Sequence, residues 1–262
     1  MTQIAVLIPH YNSTEALIKS IKSIDEDIEL DLFVIDDGSN KKPKIEELTF
    51  YKNGKIFLDG YDNNKGIEYA LNYGLKKIKD LGYPFIARLD CADICASKRF
   101  QKQYKFLNNN KDIFMVGSWV KLIDEKGKFL FNLKLPIIHN EIARKSYLNA
   151  MFIHPTVFFR TIVLDSVGYY PTNYPAAEDY AYFFKIIRKH KTANIPEYLL
   201  NVEVNTHGIS SVRRKKQVKS RIQVILDNFY FGFWPVYGLI RNLLLLFMPR
   251  KLTTTLKTIL KK

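Results

Sequence analysis

Apolar and polar residues along the first hundred positions fall into blocks that predict strands followed by helices. Residues 4–8, "IAVLI", form a continuous apolar run typical of a strand buried on both faces. The next block, "NSTEALIKSIKSI", has apolar residues at helical spacing, with Asn12 to Thr14 as candidates for its N-cap. Further strands are predicted for "LDLFVI", "KIFLDG" and "YPFIARLD", and a helix ending at Gly82 for "NKGIEYALNYGLKKIKDLG".

This alternation predicts βαβ units and therefore an α/β fold with a largely parallel sheet flanked by helices. In open sheets of this type, ligands bind beyond the carboxyl ends of the strands. Three predicted strand ends carry polar and aromatic residues, namely "PHYN" at 9–12, "DDGS" at 36–39 and "RLD" at 88–90. We expect these groups to meet at one edge of the sheet, as a binding site would require.

The composition is that of a globular protein, with 47% hydrophobic and 25% charged residues in 262. This length suits one large α/β domain with an appendage. The N-terminus lacks the basic start and cleavage site of a signal peptide, so we expect a cytoplasmic location. Cys91 and Cys95 are then expected to be reduced thiols rather than a disulfide or a zinc site.

The net charge of +14 is concentrated at the C-terminus. Residues 212–262 hold twelve lysines and arginines against one acid, Asp227, for a net charge of +11, and the preceding residues carry the other +3. A basic tail on a nearly neutral body indicates an anionic partner, either nucleic acid or membrane.

The apolar residues of this tail favour the membrane. The stretch "NFYFGFWPVYGLIRNLLLLFMPRKL" is dense in aromatic residues and leucine, and basic clusters flank it. Nucleic-acid binders rarely place "LLLLF" beside their basic residues. Glycines, Pro235 and Arg241 interrupt the run, so a helix pair lying in the interface of an anionic membrane fits better than a transmembrane span. The alternative is a C-terminal helix packed on the body.

Two carboxylates near the end of the fourth strand, Asp90 and Asp93 in "IARLDCADIC", leave two interpretations open. They can hold a divalent metal ion, or they can cap the helix that follows.

Six motifs resemble, in order from about residue 3 to about residue 211, those of glycosyltransferase family 2: "VLIPHYN", "VIDDGS", "NKGIEYALNYG", "IARLDCADI", "HPTVFFR" and "AEDYAYFFKI". The family consists of inverting enzymes of the GT-A fold that use nucleotide sugars. The resemblance implies a GT-A domain over 1–211, with a nucleotide-binding half (1–110) and an acceptor-binding half (111–211). Residues 212–262 then form the basic, amphipathic helical tail.

The resemblance also assigns roles in nucleotide binding. Tyr11 would stack on the base and the backbone near Pro9 would hold its edge, while Asp37 would accept the imide N–H of the base. Asp36 would brace the turn. Plain packing for Tyr11 and turn formation for either aspartate are the structural alternatives.

Other residues would hold the rest of the donor. Asn64, Lys65 and Gly66 open the helix whose N-terminus faces the site. Arg88 would reach the pyrophosphate, for which its guanidinium geometry is suited. Asp90 would contact the metal, or the sugar or ribose.

The metal site departs from the family pattern. The family usually shows Asp-x-Asp-Asp here, and its middle aspartate binds Mn²⁺ or Mg²⁺; this chain has Ala92 at that position. Asp90 and Asp93 remain as candidate ligands, with Asp93 alternatively capping the helix from Arg99. A family histidine that can contact the metal aligns with Asn205, and His207 is two residues away.

The chemistry is assigned to "PAAEDYAYFFKIIRKH". By resemblance Asp179 is the general base that deprotonates the acceptor hydroxyl, and Glu178 is its neighbour on the acceptor side. Helix capping by acids in a first turn is the alternative. His154 is expected to fix the loop before a strand.

Two functions remain open on the sequence. The first is a glycosyltransferase at the inner face of the cell membrane that adds a sugar, from a UDP-linked donor, to a lipooligosaccharide, capsule or other surface glycan. The second is a relative that binds nucleotide sugar or glycan without catalysing transfer, suggested by Ala92. Nucleic acid is not expected as a partner.

Overall fold

The structure is a computed structural model that describes residues 2–204 and 214–247. The strands are β1 (Ile4–His10), β2 (Asp31–Asp37), β3 (Ile56–Tyr61), β4 (Phe85–Arg88), β5 (Ile94–Cys95), β6 (Ile113–Ile123), β7 (Phe129–Leu133), β8 (Phe158–Arg160) and β9 (Lys191–Glu203). The helices are α1 (Thr14–Lys22), α2 (Ile67–Asp80), α3 (Arg99–Asn109), α4 (His139–Lys145), α5 (Val163–Val167), α6 (Glu178–Lys189), α7 (Arg214–Asp227) and α8 (Phe233–Phe247).

The strands form one mixed sheet in the order β3-β2-β1-β4-β8-β6-β9-β5, and β7 pairs with β6. The first four strands are parallel to one another, with β1 between β2 and β4. β8 runs antiparallel to both β4 and β6, and so joins the two halves of the sheet. The predicted α/β fold with a largely parallel sheet is confirmed, and the carboxyl ends of β1, β2 and β4 meet at one edge.

Helices cover both faces of the sheet. β1 alternates between two apolar cores, because Leu7 faces the core under α2 and α6 while Val6 and Ile8 face the core under α1 and α3. All three side chains are fully buried. The continuous apolar run of β1 therefore has the cause expected for a parallel strand covered on both sides.

The N-cap of α1 falls within the predicted range Asn12 to Thr14, but the expected side-chain capping bond is not formed. Asn12 adopts a left-handed backbone conformation (φ 49°), and Ser13 is the N-cap but makes no side-chain capping bond. The Ser13 N–H instead donates to Nε2 of His10, 3.2 Å away. The last residue of β1 thus holds the turn into α1 by binding the N–H of the N-cap residue.

The described part of the basic tail packs on the body. Val224 and Ile225 of α7 are buried against Tyr180 and Phe184 of α6. On α8, by contrast, large apolar side chains remain exposed, including Phe233, Ile240 and Leu244. Among residues 2–204 and 214–247, no helix is long and apolar enough to cross a membrane. The alternative of a tail packed on the body is therefore observed, although the outer face of α8 stays open.

Candidate active site

A cleft of about 650 Å³ lies at the carboxyl edge of β1, β2 and β4. The N-terminal ends of α2 and α6 form its other walls. It is lined by Pro9, His10, Tyr11, Ser13, Asp37, Asn64, Lys65, Gly66, Ile67, Glu68, Asp90, Cys91, Pro175, Ala176 and Glu178. Seven of the predicted site residues line this one cleft with Glu178: Pro9, Tyr11, Asp37, Asn64, Lys65, Gly66 and Asp90. The expected convergence of strand ends is therefore observed.

Tyr11 is the aromatic residue at the mouth of the cleft. Its side chain is about half exposed (48%), which leaves a ring face open to a ligand and argues against a purely structural role in the core. The Pro9 carbonyl beside it accepts a hydrogen bond from the Cys91 thiol at 3.4 Å. Burial raises the pKa of Cys91 to about 12, so this thiol stays protonated and unreactive at neutral pH.

His10 holds this wall and was not assigned a role from the sequence. Its Nδ1 lies 2.7 Å from Oδ1 of Asp36, and the ring is fully buried. Asp36 also accepts hydrogen bonds from the Ser39 backbone N–H and hydroxyl. Burial raises the pKa of Asp36, but the hydrogen bonds from Ser39 and His10 outweigh it and leave the pKa below its usual range. Asp36 therefore braces the turn, as predicted.

Asp37 is bound to the loop that precedes α2. Its carboxylate accepts the backbone N–H of Lys65 and of Gly66 and the side-chain amide of Asn64, each at 2.9 Å. The turn between Asp37 and this loop is tight: Gly38 has φ 73°, and a β-carbon there would lie 2.2 Å from the Asn63 carbonyl carbon. Contact of Asp37 with a nucleotide base stays a prediction, and the structure adds a second role in fixing the loop.

Arg88 does not line the cleft, in contrast to its predicted contact with a pyrophosphate. Its side chain is fully buried. Nη1 donates to the Leu7 carbonyl at 2.7 Å, and Nη2 donates to Oδ1 of Asp90 at 2.5 Å. The geometry therefore does not support a direct contact with the diphosphate; the guanidinium lies behind Asp90 and orients that carboxylate.

Asp93 points away from the cleft. Its side chain is buried, and Oδ1 accepts the Glu203 backbone N–H at 3.0 Å. Burial and the nearby Asp90 carboxylate raise the pKa of Asp93 well above its usual range. It does not cap α3 either, since that helix begins after Lys98 without a side-chain cap. Capping of α3 by Asp93 is thus not observed, and the carboxylate instead anchors the end of β9. Metal binding by Asp93 stays a prediction.

The described residues fit a divalent metal ion only in part. Asp90 lines the cleft, but Ala92 lacks a ligand atom and Asp93 faces β9. Within residues 2–204 and 214–247, no group of three or more His, Cys, Asp or Glu side chains is arranged to hold a metal. Asn205 and His207, the other candidates, lie outside the described residues.

The two acids of α6 differ in their surroundings. Glu178 lines the cleft; burial raises its pKa to about 7, and the Asp179, Glu68 and Asp90 carboxylates add to the shift. Asp179 is partly buried, and its Oδ1 accepts the Tyr180 backbone N–H at 2.6 Å. Capping by Asp179 is thus limited to the adjacent N–H.

The tail contributes a residue near this pair. Arg221 of α7 lies over the Tyr180 ring, with its guanidinium carbon 5.7 Å from the centroid. Burial lowers the pKa of Arg221, and the charge of Asp179 partly offsets that shift. Apart from the tail's charge, no sequence pattern indicates this contact, because it joins residues about forty positions apart.

Comparisons with known proteins agree with this geometry. Residues 5–167 match the model of the family described as Glycosyl transferase family 2. An uncharacterised glycosyltransferase of Methanocaldococcus jannaschii is 28% identical over 229 residues, covering 82% of this chain and 75% of that protein.

Two further relatives carry more specific names. The amylovoran biosynthesis glycosyltransferase AmsE of Erwinia amylovora is 30% identical over 62% of this chain and 60% of its own length. The O-antigen biosynthesis glycosyltransferase WbnJ of Escherichia coli is 34% identical over 53% of this chain and 54% of its own length. The matched region thus spans little more than half of these two relatives.

Solved structures show the same fold. S. aureus TarS 1-349 in complex with UDP-GlcNAc superimposes with a TM-score of 0.68 at 15% identity, covering 90% of this chain and 69% of that chain. The mannosyltransferase PcManGT from Pyrobaculum calidifontis, in complex with GDP-Man and Mn²⁺, gives 0.65 at 15% identity, covering 92% and 68%. The predicted GT-A fold is confirmed.

Proposed function

Because the chain belongs to glycosyltransferase family 2, we propose that it transfers a sugar, with inversion, from a UDP-linked donor to a hydroxyl of a surface glycan. The observation that carries this proposal is the cleft itself. An exposed aromatic ring, an anchored helix N-terminus and a desolvated carboxylate face one cavity. A cavity of about 650 Å³ is within the range of small-molecule sites.

The donor occupies the side of the cleft formed by β1, β2 and α2. The base stacks on Tyr11, and Asp37 holds its edge or the loop against which the edge rests. The diphosphate lies toward the N-terminus of α2, where the helix dipole favours an anion. UDP-GlcNAc bound to the S. aureus neighbour supports a uridine nucleotide.

Transfer then proceeds in one displacement. The acceptor oxygen attacks the anomeric carbon from the face opposite the diphosphate, and the bond from that carbon to the diphosphate oxygen breaks. Asp179 takes the hydroxyl proton, and UDP leaves with the bonding electron pair. Glu178 binds the acceptor beside it. The buried surroundings of both acids keep water from competing and strengthen their electrostatic effect.

A divalent cation is proposed as cofactor, although no step above depends on it. Mg²⁺ and Mn²⁺ sites of nucleotide enzymes use one or two carboxylates together with substrate phosphates. Asp90 is the residue of the described part that would hold the ion, and the ion would neutralise charge on the leaving diphosphate.

A surface glycan is proposed as the acceptor because of the relatives. Two of them are named for amylovoran and O-antigen biosynthesis, which are bacterial polysaccharides. The proposed acceptor is accordingly a lipooligosaccharide, a capsule or a similar glycan, and the residue it presents is a hydroxyl.

The proposed location is the inner face of the cell membrane, with α7 and α8 on the anionic lipid surface. Phe233, Tyr237, Ile240 and Leu244 lie at helical spacing on α8 and are 69%, 47%, 51% and 59% exposed. Lys215, Lys216 and Lys219 are exposed on α7. Apolar side chains for the headgroup zone and cations for anionic lipid are the two features that interfacial helices combine.

The donor assignment is tested by a thermal-shift screen of nucleotide sugars. At a hundred times its dissociation constant, a ligand stabilises the folded protein by about 2.7 kcal/mol, which is a rise in Tm of several degrees. UDP-sugars should raise the Tm, and at the same donor concentration the gain should fall to about half or less in Asp37→Ala. Asp62→Ala, a change at a largely exposed aspartate outside the cleft, serves as the matched control. A rise with GDP-mannose and not with UDP-sugars would overturn the uridine assignment.

The membrane location is tested by co-sedimentation with vesicles of anionic and of neutral phospholipid. Phe233→Ser, Ile240→Ser and Leu244→Ser together should abolish binding to anionic vesicles. Substituting Phe129 and Leu130, which are similarly exposed on β7, should leave it unchanged. Equal loss in both variants, or equal binding to neutral vesicles, would contradict the proposal.

A further inference from the structure

Behind the floor of the cleft lies a partly buried histidine, His154, that the transfer chemistry does not use. His154 Nε2 lies 3.4 Å from Nε of Arg88 and 2.8 Å from the hydroxyl of Tyr170. None of these three residues lines the cleft, and Arg88 is fully buried while Tyr170 is 2% exposed. The three side chains form a polar chain within an otherwise apolar core.

The direction of these hydrogen bonds fixes the state of the imidazole. A guanidinium can donate but not accept, so Nε2 of His154 is the acceptor and its proton is on Nδ1. The Tyr170 hydroxyl then donates to the same nitrogen. Burial, together with the charge of Arg88, lowers the pKa of His154 to about 4, which agrees with a neutral ring at neutral pH.

The Arg88 end of this hydrogen-bonded series of side chains reaches the donor side of the cleft. Arg88 has its remaining donors directed at the Leu7 carbonyl and at Oδ1 of Asp90. Together with the contact between Arg88 Nε and the His154 imidazole, these bonds hold the Arg88 guanidinium on three sides. Its orientation fixes the rotamer of Asp90, whose carboxylate lines the cleft.

The Tyr170 end of the series contacts α2 and α6, the two helices whose N-terminal ends form walls of the cleft. The backbone of Tyr170 exchanges two hydrogen bonds with the Asn72 side chain of α2, at 2.8 and 2.9 Å. The Tyr170 ring stacks on Tyr182 of α6, with centroids 4.1 Å apart. Tyr170 therefore lies between the donor-side helix and the helix that carries Glu178 and Asp179.

We propose that His154 and Tyr170 are positioning residues that hold Arg88, and through it Asp90, in the orientation needed for the donor. The catalytic part of this proposal rests on glycosyl transfer at the cleft. This hydrogen-bonded relay also sets the Asp90 carboxylate in a fixed relation to α6, because it runs from Asp90 through Arg88 and His154 to Tyr170, whose ring stacks on Tyr182 of α6. Neither residue touches the substrate.

The test is Tyr170→Phe, which removes the hydroxyl and keeps the ring stack. Loss of one buried hydrogen bond corresponds to about a two- to tenfold effect, so kcat/KM for the donor should fall by that factor. Tyr182→Phe is the matched control: it removes a buried hydroxyl from the stacked ring that has no hydrogen-bond partner in the described part of the chain. It should leave transfer unchanged. Equal kcat/KM values for the two variants would overturn the proposal.

A double-mutant cycle shows whether Tyr170 acts through Asp90. In an Asp90→Asn background, Tyr170→Phe should cause no further loss of kcat/KM, because the carboxylate that the relay positions is gone. An undiminished effect would mean that Tyr170 acts by another route. His154→Gln, whose amide oxygen can still accept from Arg88, should retain more activity than His154→Phe.

The same four proteins of the cycle, unfolded in urea, separate this inference from the proposed function. Wild-type protein that transfers sugar from no nucleotide donor would refute the function and leave the urea cycle readable. If the relay is correct, the double variant should lose less free energy of unfolding than the sum of the losses of Tyr170→Phe and Asp90→Asn. Additive losses would overturn it.

Discussion

The carboxylates at the donor-side strand ends and the Glu178 carboxylate of α6 are held in opposite ways. Asp36 accepts hydrogen bonds from Ser39 and His10, Asp37 accepts three from the loop before α2, and Asp90 is paired with Arg88. Glu178, by contrast, is buried beside other acids, and its pKa is raised to about 7.

This difference bears on which acid of α6 moves the acceptor proton, the proposed base Asp179 or its neighbour Glu178. Hydrogen bonds to an ionised carboxylate fix its position and favour its charged form, which suits residues that must hold a ligand in one geometry. Burial next to like charge raises proton affinity, which suits residues that work on a proton near neutral pH. Each prediction below changes one side of this comparison.

The largest effect is expected for Asp179→Asn. The amide keeps the shape of the side chain but cannot take the hydroxyl proton, and general-base catalysis contributes about 10²- to 10⁴-fold. Turnover should fall by that factor while the affinity for donor, measured by calorimetry, stays close to wild type.

Glu178→Gln is the matched variant for that experiment. If Asp179 is the base, Glu178→Gln should lower turnover less than Asp179→Asn does. The reverse order would assign the base to Glu178, whose place on the cleft wall and raised pKa also suit that role. Near-normal turnover in both variants would contradict general-base catalysis by either acid of α6.

The raised pKa of Glu178 also predicts a pH dependence of stability. The unfolded chain has the ordinary pKa near 4.5 and the folded chain about 7, so the folded state binds the proton more tightly. The stabilisation that comes from protonated Glu178 in the folded state is fully present below pH 4.5 and is lost as the pH rises through 7. Glu178→Gln should therefore be more stable than wild type at pH 8, by at most about 3 kcal/mol, in urea unfolding. Identical pH profiles would show that Glu178 is not desolvated.

Asp37→Ala should affect both binding and stability. Hydrogen bonds to a charged group contribute about 1.5–3 kcal/mol, so UDP affinity should fall about ten- to a hundredfold. Because three of these bonds hold residues 64–66, the free energy of unfolding should also fall, by a similar amount. Unchanged UDP affinity with lowered stability would limit Asp37 to the loop.

The parts of the site that follow from local pattern were predictable. Each strand end contributes its residues by position alone, so "IAVLI" followed by "PHYN" is enough to place Tyr11 at the sheet edge. The tight glycine turn at Gly38 and the helix start at Gly66 likewise follow from a few neighbouring residues. Family resemblance added roles, not positions.

The parts that depend on distant partners were not predictable. Whether Arg88 reaches a ligand or turns inward depends on His154, 66 positions away, and the orientation of Asp93 depends on Glu203, 110 positions away. The tail is a similar case: its charge and apolar residues were visible in the sequence, but not its packing on α6. Removing it would uncover apolar side chains, so point substitutions on α8 test the membrane better than truncation.

The smallest effect is expected for Asp93→Asn, which tests whether the family's metal carboxylate has simply moved by one residue. The Asn amide oxygen can still accept the Glu203 N–H, and it carries no charge to bury. The free energy of unfolding should therefore change by about 1 kcal/mol or less, and the Mn²⁺ or Mg²⁺ concentration that gives half-maximal transfer should be the same as in wild type. Asp90→Asn is the comparison, since Asp90 lines the cleft and would hold the ion: that variant should need more metal, or lose donor affinity. A tenfold rise in the metal required by Asp93→Asn would mean that Asp93 turns into the cleft when the donor binds, and that its bond to β9 breaks during the reaction.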